Sequence, residues 1–428
     1  MIRDLIFPYP YIIEKMDEYY KPNLPPVKVR EDYRTKKSPQ KRPSKKKLTI
    51  LIATFWDYPH IGGLSNYITE LSKGLKKQGH KVDVISPNLF PSATVKNLRE
   101  DITPKLKEFF LRRYGSYDKK ILSNSRLLYV YEQMLQKMDL EKYDIFHAQD
   151  IFTANILGRF NANYNKPLFF TPHGMFTFKR LKFNLMEKGS IEETYYKELE
   201  RKAIEFASQL IILSDSFRDS LTELGAKHEK MTTVITGINY PEKYYKKKLG
   251  PQEKLVITCV ARLGPRKGHN YLLSALSHIR QYTNNVEVLI VGDGEMRETL
   301  EKQVHSLDLP MVNFLGSRDD VPYILSKTDI FVLPTINDSL PIAIIEAMHS
   351  GTAIISTNCG GIPEIVKHGK TGIVVEPGDT EELAQALRFF IVNKQARDKA
   401  STNAFNFAKT HLTTDGMIRK IESIYNKF

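Results

Sequence analysis

Cysteine is nearly absent from this chain: Cys259 and Cys359 are the only two in 428 residues, and Trp56 is the only tryptophan. Neither thiol sits in a block with metal-ligand spacing. That excludes a disulfide framework and a cysteine-built metal centre, and it fits a reducing compartment. No apolar run reaches the roughly 18 residues a membrane span needs. A signal peptide is not expected, because Asp4, Glu14, Asp17 and Glu18 interrupt the N-terminal apolar stretch. The expected location is cytoplasmic.

Acidic residues are in short supply, and unevenly so. The chain holds 63 Lys and Arg against 49 Asp and Glu, a net charge of +14. Residues 251–428 carry 19 and 20 of these, so the first 250 hold 44 against 29, a net of +15. The plain reading is a basic solvated surface. The sharper one is a half that meets an anionic partner, such as an acidic glycan or the inner leaflet of a membrane, giving a peripheral location there. No nucleic-acid recognition motif accompanies the charge, so nucleic acid is not an expected partner.

At this length two domains are the default. Residues 1–47 end in RTKKSPQKRPSKKK, which cannot build a core. We read 34–47 as a flexible linker and 5–20 as either a docking segment or a tail. From Leu48 the pattern is strand–loop–helix. LTILIATF, KVDVIS, YDIFHA, KPLFFT and QLIILS read as strands, with GGLSNYITELSKGLKKQGH as an amphipathic helix. Residues 91–140 read as an insertion of cationic, aromatic-rich helices, either a surface pair or an interfacial membrane element. After a linker-like 240–253, six more strand candidates follow: KLVITCVA, VEVLIVG, VNFLG, DIFVLP, TAIIST and TGIVVE. Such alternation marks parallel, doubly wound sheets, with ligands at the carboxyl ends of the strands. GDGEMRETL (292–300) lacks the third glycine of a dinucleotide fingerprint and reads as a strand-to-helix turn.

The chemistry gathers in three blocks. ARLGPRKG (261–268) places Arg262 and Lys267 just past an apolar run. PTINDSLPIAIIEAM (334–348) places Asp338 and Glu346 eight positions apart across a strand–loop–helix junction, and a Gly-Gly turn follows at 360–361. Cations and helix N-termini suit a diphosphate, and a carboxylate beside them suits ribose hydroxyls. The backbone N–H groups of Ser339, Leu340, Pro341's neighbours and Ile342 open the helix, where phosphate and sugar oxygens bind. Asp-x-Asp, which holds a metal in many sugar transferases, does not occur. Two fixed cations then stand where a metal would neutralise the leaving group. Gly62-Gly63, between the first strand and its helix, lets backbone approach phosphate closely. His147 and Asp150 end one strand and His173-Gly174 another. Asp150 is a candidate acceptor contact.

These blocks resemble family 4 glycosyltransferases, which are retaining, metal-independent enzymes of the GT-B fold. The similarity is strongest over 254–380, weaker over 48–86 and 144–240, and absent from residues 1–47 and about 91–140. The resemblance implies an α/β GT-B architecture of two Rossmann-like doubly wound domains facing across a cleft. The N-terminal acceptor domain would span 48–245 and the donor domain 246–412, with a helix over 413–428 crossing back. Arg262 and Lys267 would hold the diphosphate and Glu346 the ribose. His173 would lie near the donor sugar and reacting centre, and the 314–322 loop, with Ser317 and Arg318, near the base. Asp338 stands where the family usually has glutamate, one methylene shorter, which leaves the donor sugar open. VITGIN (234–239) lacks the family's usual Pro-Asn.

The implied partners are a nucleoside-diphosphate sugar, UDP-linked in the favoured case and GDP-mannose in the second, and a glycan or lipid-linked acceptor. A bacterial envelope or surface polysaccharide is the family-level setting. No cofactor and no metal are expected. The rivals are a catalytically weak nucleotide-sugar-binding or scaffold protein, and a nucleotide-sugar epimerase, which shares the fold but lacks this pattern.

Overall fold

The computed structural model describes residues 9–23, 25, 47–60, 62–245 and 254–428. The linker expected at 34–47 lies outside these apart from Lys47, as do 246–253 of the second linker and residues 5–8 of the docking segment. The chain divides into two compact units. One gathers the residues up to Ile212 with Phe217–Val234 and Lys420–Phe428; the other holds Leu213–Ser216 and Ile235–Arg419.

The first unit runs α1 (Pro10–Tyr20), β1 (Thr49–Ala53), α2 (Gly63–Lys77), β2 (Lys81–Ile85), α3 (Ser92–Tyr114), α4 (Lys119–Gln136), β3 (Ile145–Ala148), α5 (Ile151–Tyr164), β4 (Leu168–Phe170), α6 (Phe176–Lys182), α7 (Ile191–Phe206), β5 (Gln209–Ile212), α8 (Arg218–Glu223) and β6 (Met231–Thr233). Its six parallel strands are ordered β2-β1-β3-β4-β5-β6. The second unit runs β7 (Leu255–Val260), α9 (His269–His278), β8 (Val286–Val291), α10 (Arg297–Ser306), β9 (Val312–Gly316), α11 (Val321–Ser326), β10 (Ile330–Leu333), α12 (Ile342–Ser350), β11 (Ala353–Thr357), α13 (Ile362–Ile365), β12 (Gly372–Val375), α14 (Thr380–Val392) and α15 (Lys394–His411). Its parallel order is β12-β11-β10-β7-β8-β9. α16 (Thr414–Tyr425) ends the chain.

Central strands are buried on both faces, so they read as continuous Ile/Leu/Val/Phe runs rather than alternating ones. Ile50, Leu51 and Ile52 of β1 and Ile330, Phe331 and Val332 of β10 are wholly buried. In each sheet the winding direction reverses once, between β1 and β3 and between β7 and β10. A crevice opens at such a reversal, beyond the carboxyl ends of the two strands. Both reversals are fastened by the same device. Asp144, just before β3, accepts from Thr49 N at 2.9 Å and returns its own N–H to Thr49 O at 2.8 Å. Asp329, just before β10, does the same with Val256, at 3.0 and 2.8 Å. The local sequences are YDIF and TDIF.

The docking reading of the N-terminal segment holds for α1, and the tail reading does not. Tyr9, Ile12 and Ile13 are fully buried and α1 packs on α7. Tyr11 Oη donates to Asn155 Oδ1 at 2.6 Å, and Asp17 pairs with Arg113 of α3. In the 91–140 insertion α3 and α4 pack on each other, but α4 is more than a surface helix. Tyr131 Oη donates to Thr54 O (2.8 Å) and Ile85 O (3.1 Å), joining the ends of β1 and β2. The last turns of α16 belong to the first unit: Tyr425 Oη lies 2.6 Å from His147 Nδ1 and Glu422 2.8 Å from His80 Nε2. β6 was not foreseen. It is three residues at the sheet edge, too short to show a period. Among the described residues no helix is long and apolar enough to cross a membrane.

Candidate functional site

In the second unit the loops beyond β7, β10 and β11 are knitted together by backbone. The carbonyl of Arg266 accepts from Ile336 N at 2.8 Å and from Thr335 Oγ1 at 2.9 Å. Thr357 Oγ1 donates to Thr335 O at 2.6 Å, and Gly361 N to Ser339 O at 2.6 Å. Cys359 Sγ accepts from Asp338 N at 3.0 Å. Two glycines make this possible. Gly268 (φ 73°) lies where a Cβ would stand 1.9 Å from Pro334 O; at Gly360 (φ 52°) a Cβ would stand 2.0 Å from Asp338 O. Any side chain there pushes the loops apart, and the positive φ disfavours one further.

On this frame Lys267 Nζ pairs with the Asp338 carboxylate, so a cation from beyond β7 meets a carboxylate from beyond β10 at the sheet's reversal. Arg262 is 75% exposed and pairs with Glu295 at 3.0 Å. Glu346, in the second turn of α12, is half-buried, and burial pushes its carboxyl up to about 7. Among the described residues no hydrogen bond or ion pair reaches it. Pro341 stands at the N-cap of α12, so no side chain caps the helix, and its first turn holds no acidic residue. That leaves opening N–H groups, and the positive end of the helix dipole, without a capping side chain or an acidic residue of the helix's own first turn. The order Ser339, Leu340, Pro341, Ile342 brings the chain into this turn. Ser317 and Arg318 lie beyond β9, the edge strand. Arg318 makes a two-pronged pair with Asp320 at 2.8 Å, and neither Ser317 nor Arg318 bonds to Arg262, Lys267, Asp338 or Glu346.

The first unit has its own crevice at the β1–β3 reversal. A cavity of about 210 Å³ is lined by Trp56, Gln149, Phe152, His173, Phe176 and Lys179 among others. His173 Nε2 lies 3.0 Å from Gln149 Oε1, and the ring meets Tyr67 edge-on at 4.8 Å. Burial drops His173 to about 3, so the imidazole is neutral at working pH. Glu200 of α7 accepts from Phe176 N and Thr177 N at 2.6 and 3.2 Å, which fixes the start of α6 at the cavity wall. Gly62 and Gly63 open α2, with Asn66 N donating to Gly62 O at 3.0 Å.

Asp150, the candidate acceptor contact, lines the same cavity, and both its oxygens already accept from the chain. Oδ2 takes Phe55 N (2.6 Å) and Thr54 Oγ1 (3.2 Å), and Oδ1 takes Thr153 N (2.8 Å) and Thr153 Oγ1 (3.1 Å). It caps α5 and ties the loop beyond β1 to it. His147 is structural too: both ring nitrogens are engaged, by Tyr425 Oη and Thr171 Oγ1, and burial drops it to about 3. Sequence reading passed over Gln149, between these two in FHAQD, and Trp56, just beyond β1. Their signal was position at a strand's carboxyl end. Among the described residues, no group of three or more His, Cys, Asp or Glu side chains could hold a metal ion.

Two family models match, glycosyltransferase family 4 over residues 61–240 and glycosyl transferases group 1 over 241–407. An Escherichia coli protein named UDP-Gal:alpha-D-GlcNAc-diphosphoundecaprenol alpha-1,3-galactosyltransferase is 30% identical over 310 residues, covering 67% of this chain and 76% of its own. A Methanocaldococcus jannaschii protein, named as an uncharacterized glycosyltransferase, is 25% identical over 385 residues, covering 80% and 91%. Among solved structures, Anabaena HepE in complex with UDP superposes with a TM-score of 0.65 over 89% of this chain and 100% of its own, at 19% identity, a likeness of fold.

Proposed function

Because the chain belongs to the family 4 glycosyltransferases and has their GT-B fold, we propose that it moves a sugar from a nucleoside diphosphate to an acceptor hydroxyl with retention at the anomeric carbon, using neither metal nor cofactor. Glu346 carries this reading: a half-buried carboxylate without a partner among the described residues, raised to about 7, on an uncapped helix beside the Lys267–Asp338 pair. It is placed to accept from two ribose hydroxyls while the α12 N-terminus takes phosphate oxygens.

Arg262 and Lys267 hold the diphosphate. Arg262 is available at little cost, because an exposed pair such as Arg262–Glu295 is worth at most about 1 kcal/mol. Lys267 keeps Asp338 beside it, which supports a contact of that carboxylate with the donor sugar. The acceptor oxygen attacks the anomeric carbon on the face the diphosphate leaves. The carbon–oxygen bond to phosphate breaks as the new one forms, and a departing phosphate oxygen takes the acceptor's proton. The negative charge that develops is met by the two cations and the helix dipole. Asp338 and His173 orient the sugar.

A UDP-sugar is the favoured donor, because the E. coli relative is named for UDP-galactose; GDP-mannose is the second reading. That relative's lipid-diphosphate acceptor favours a glycan or lipid-linked acceptor here, in envelope or surface polysaccharide synthesis. The basic first half, net +15, supports contact with an anionic membrane surface. Co-sedimentation with anionic vesicles at low salt is expected, and its absence removes that part.

The test is titration of UDP, GDP and ADP with chelator present, followed by NMR of the product. One nucleotide should bind preferentially, and the anomer should be retained. An inverted anomer overturns the mechanism. Binding without transfer over a broad acceptor panel favours the scaffold reading, and a changed donor without acceptor favours an epimerase.

A further inference from the structure

Gln149 is an odd residue to bury. It is 1% exposed, at the end of β3, on the lining of the first unit's cavity. Among the described residues its side chain makes one hydrogen bond, Oε1 to His173 Nε2 at 3.0 Å, and Nε2 of the amide has no partner. Leaving amide donors unmet in a buried site is unfavourable. A leucine would fill the same space without that cost, so packing does not account for the amide. Its one bond does.

We propose that Gln149 is the positioning residue for His173: its amide oxygen accepts from His173 Nε2–H and so sets both the tautomer and the orientation of the ring. An imidazole's tautomer is decided by the hydrogen bond one nitrogen makes. With an oxygen facing Nε2, that nitrogen carries the proton and Nδ1 carries the lone pair. The second constraint is the edge-on Tyr67 ring at 4.8 Å, which fixes the plane. A neutral amide also differs from a carboxylate in this place. A carboxylate would hold the ring as imidazolium, whereas the amide leaves it uncharged.

The titratable groups around the ring are Tyr67 on α2, His147 on β3, Asp150 at the start of α5 and Lys179 on α6. Asp150 is the only carboxylate among these, and both its oxygens are occupied by chain donors. Burial keeps the His173 ring neutral, and the amide at 3.0 Å adds no charge beside it. The inference rests on the proposed role of His173 in transfer, but its spectroscopic test does not.

The experiment uses the full chain with 15N-labelled histidine, His173→Gln to assign the signal, and the variants Gln149→Glu and Gln149→Leu. In the unmodified protein His173 should show the Nε2–H tautomer and no titration between pH 5 and 8. In Gln149→Glu the His173 signals should titrate within that range, and kcat should fall at least tenfold on the acid side and recover on the alkaline side. In Gln149→Leu the Nε2–H tautomer should lose its dominance and kcat should fall at every pH. UDP affinity should be unchanged in both, because Arg262, Lys267 and Glu346, the proposed diphosphate and ribose contacts, are not altered. An Nδ1–H tautomer in the unmodified protein overturns the proposal. So does a His173 spectrum that is the same in all three proteins. If no transfer is found for any of them while the tautomer changes as stated, the functional reading fails and the positioning role stands.

Discussion

Glu346→Gln is the perturbation that best separates a ribose-binding carboxylate from a merely buried one. The substitution keeps size and one acceptor oxygen and removes the charge. Burial has raised this carboxyl to about 7 from an ordinary 4.5. A hydrogen bond to a charged acceptor is worth about 1.5–3 kcal/mol, against about 1 for a neutral one. Above pH 7, where Glu346 is ionised, the variant should therefore bind the nucleotide about 10- to 100-fold more weakly. At pH 5.5 the native carboxyl is itself protonated, and the two proteins should bind nearly alike. The terminal phosphate of UDP also titrates near pH 6, but it contributes equally to both and cancels in the ratio. Calorimetric titration of UDP at pH 5.5, 7 and 8.5 reads that ratio, and buffers of different ionisation enthalpy read the proton released on binding. A ratio independent of pH, or equal affinities at pH 8.5, refutes the role. Stability should move the other way. A carboxyl whose folded pKa exceeds its unfolded value favours folding most below about 4.5 and loses that advantage as pH rises through about 7. The ceiling is about 3 kcal/mol, reduced because the carboxyl is partly open to solvent. Glu346→Gln should thus be as stable as the native chain at pH 8 or more so.

Three further outcomes are expected. Arg262→Ala should leave the denaturation midpoint within about 0.5 kcal/mol, since it breaks only an exposed pair, yet weaken UDP binding at least tenfold; unchanged affinity removes Arg262 from the diphosphate site. Gly360→Ala, with a Cβ 2.0 Å from Asp338 O at φ 52°, should cost about 1–3 kcal/mol and impair nucleotide binding more than Lys267 or Asp338 being intact would suggest; native affinity means the loop contact is not required. Ile12→Ala should cost about 2–5 kcal/mol by denaturant titration, because Ile12 of α1 is fully buried; a change below about 0.5 kcal/mol means α1 does not dock.

Eleven of the twelve strands among the described residues were readable because a parallel sheet covered on both faces demands unbroken apolar runs, and such runs are visible in sequence. β6, at three residues on an edge, carries no such pattern. α1 was ambiguous because the groups that hold it, Asn155 for Tyr11 and Arg113 for Asp17, lie about a hundred or more residues away. The position of Lys267 and Asp338 in loops just beyond β7 and β10 was legible from the apolar runs before them, and the structure pairs the two. Gln149 was not legible, since a neutral amide announces no chemistry until its neighbour is known.

The sequence alone determined what is local: two alternating series of strands and helices, the reversals that follow from parallel winding, and charged residues in the loops at strand ends. What each polar group does was decided only by the fold. Asp150 and Glu346 are both acidic and both raised by burial, and nothing in their local sequence tells them apart. Asp150 is met by Phe55 and Thr54 from beyond another strand, whereas among the described residues no donor meets Glu346. The reason is that a buried carboxylate is satisfied by donors distant in sequence, so whether it serves the chain or remains for a ligand is fixed when tertiary packing brings those donors in or leaves them out.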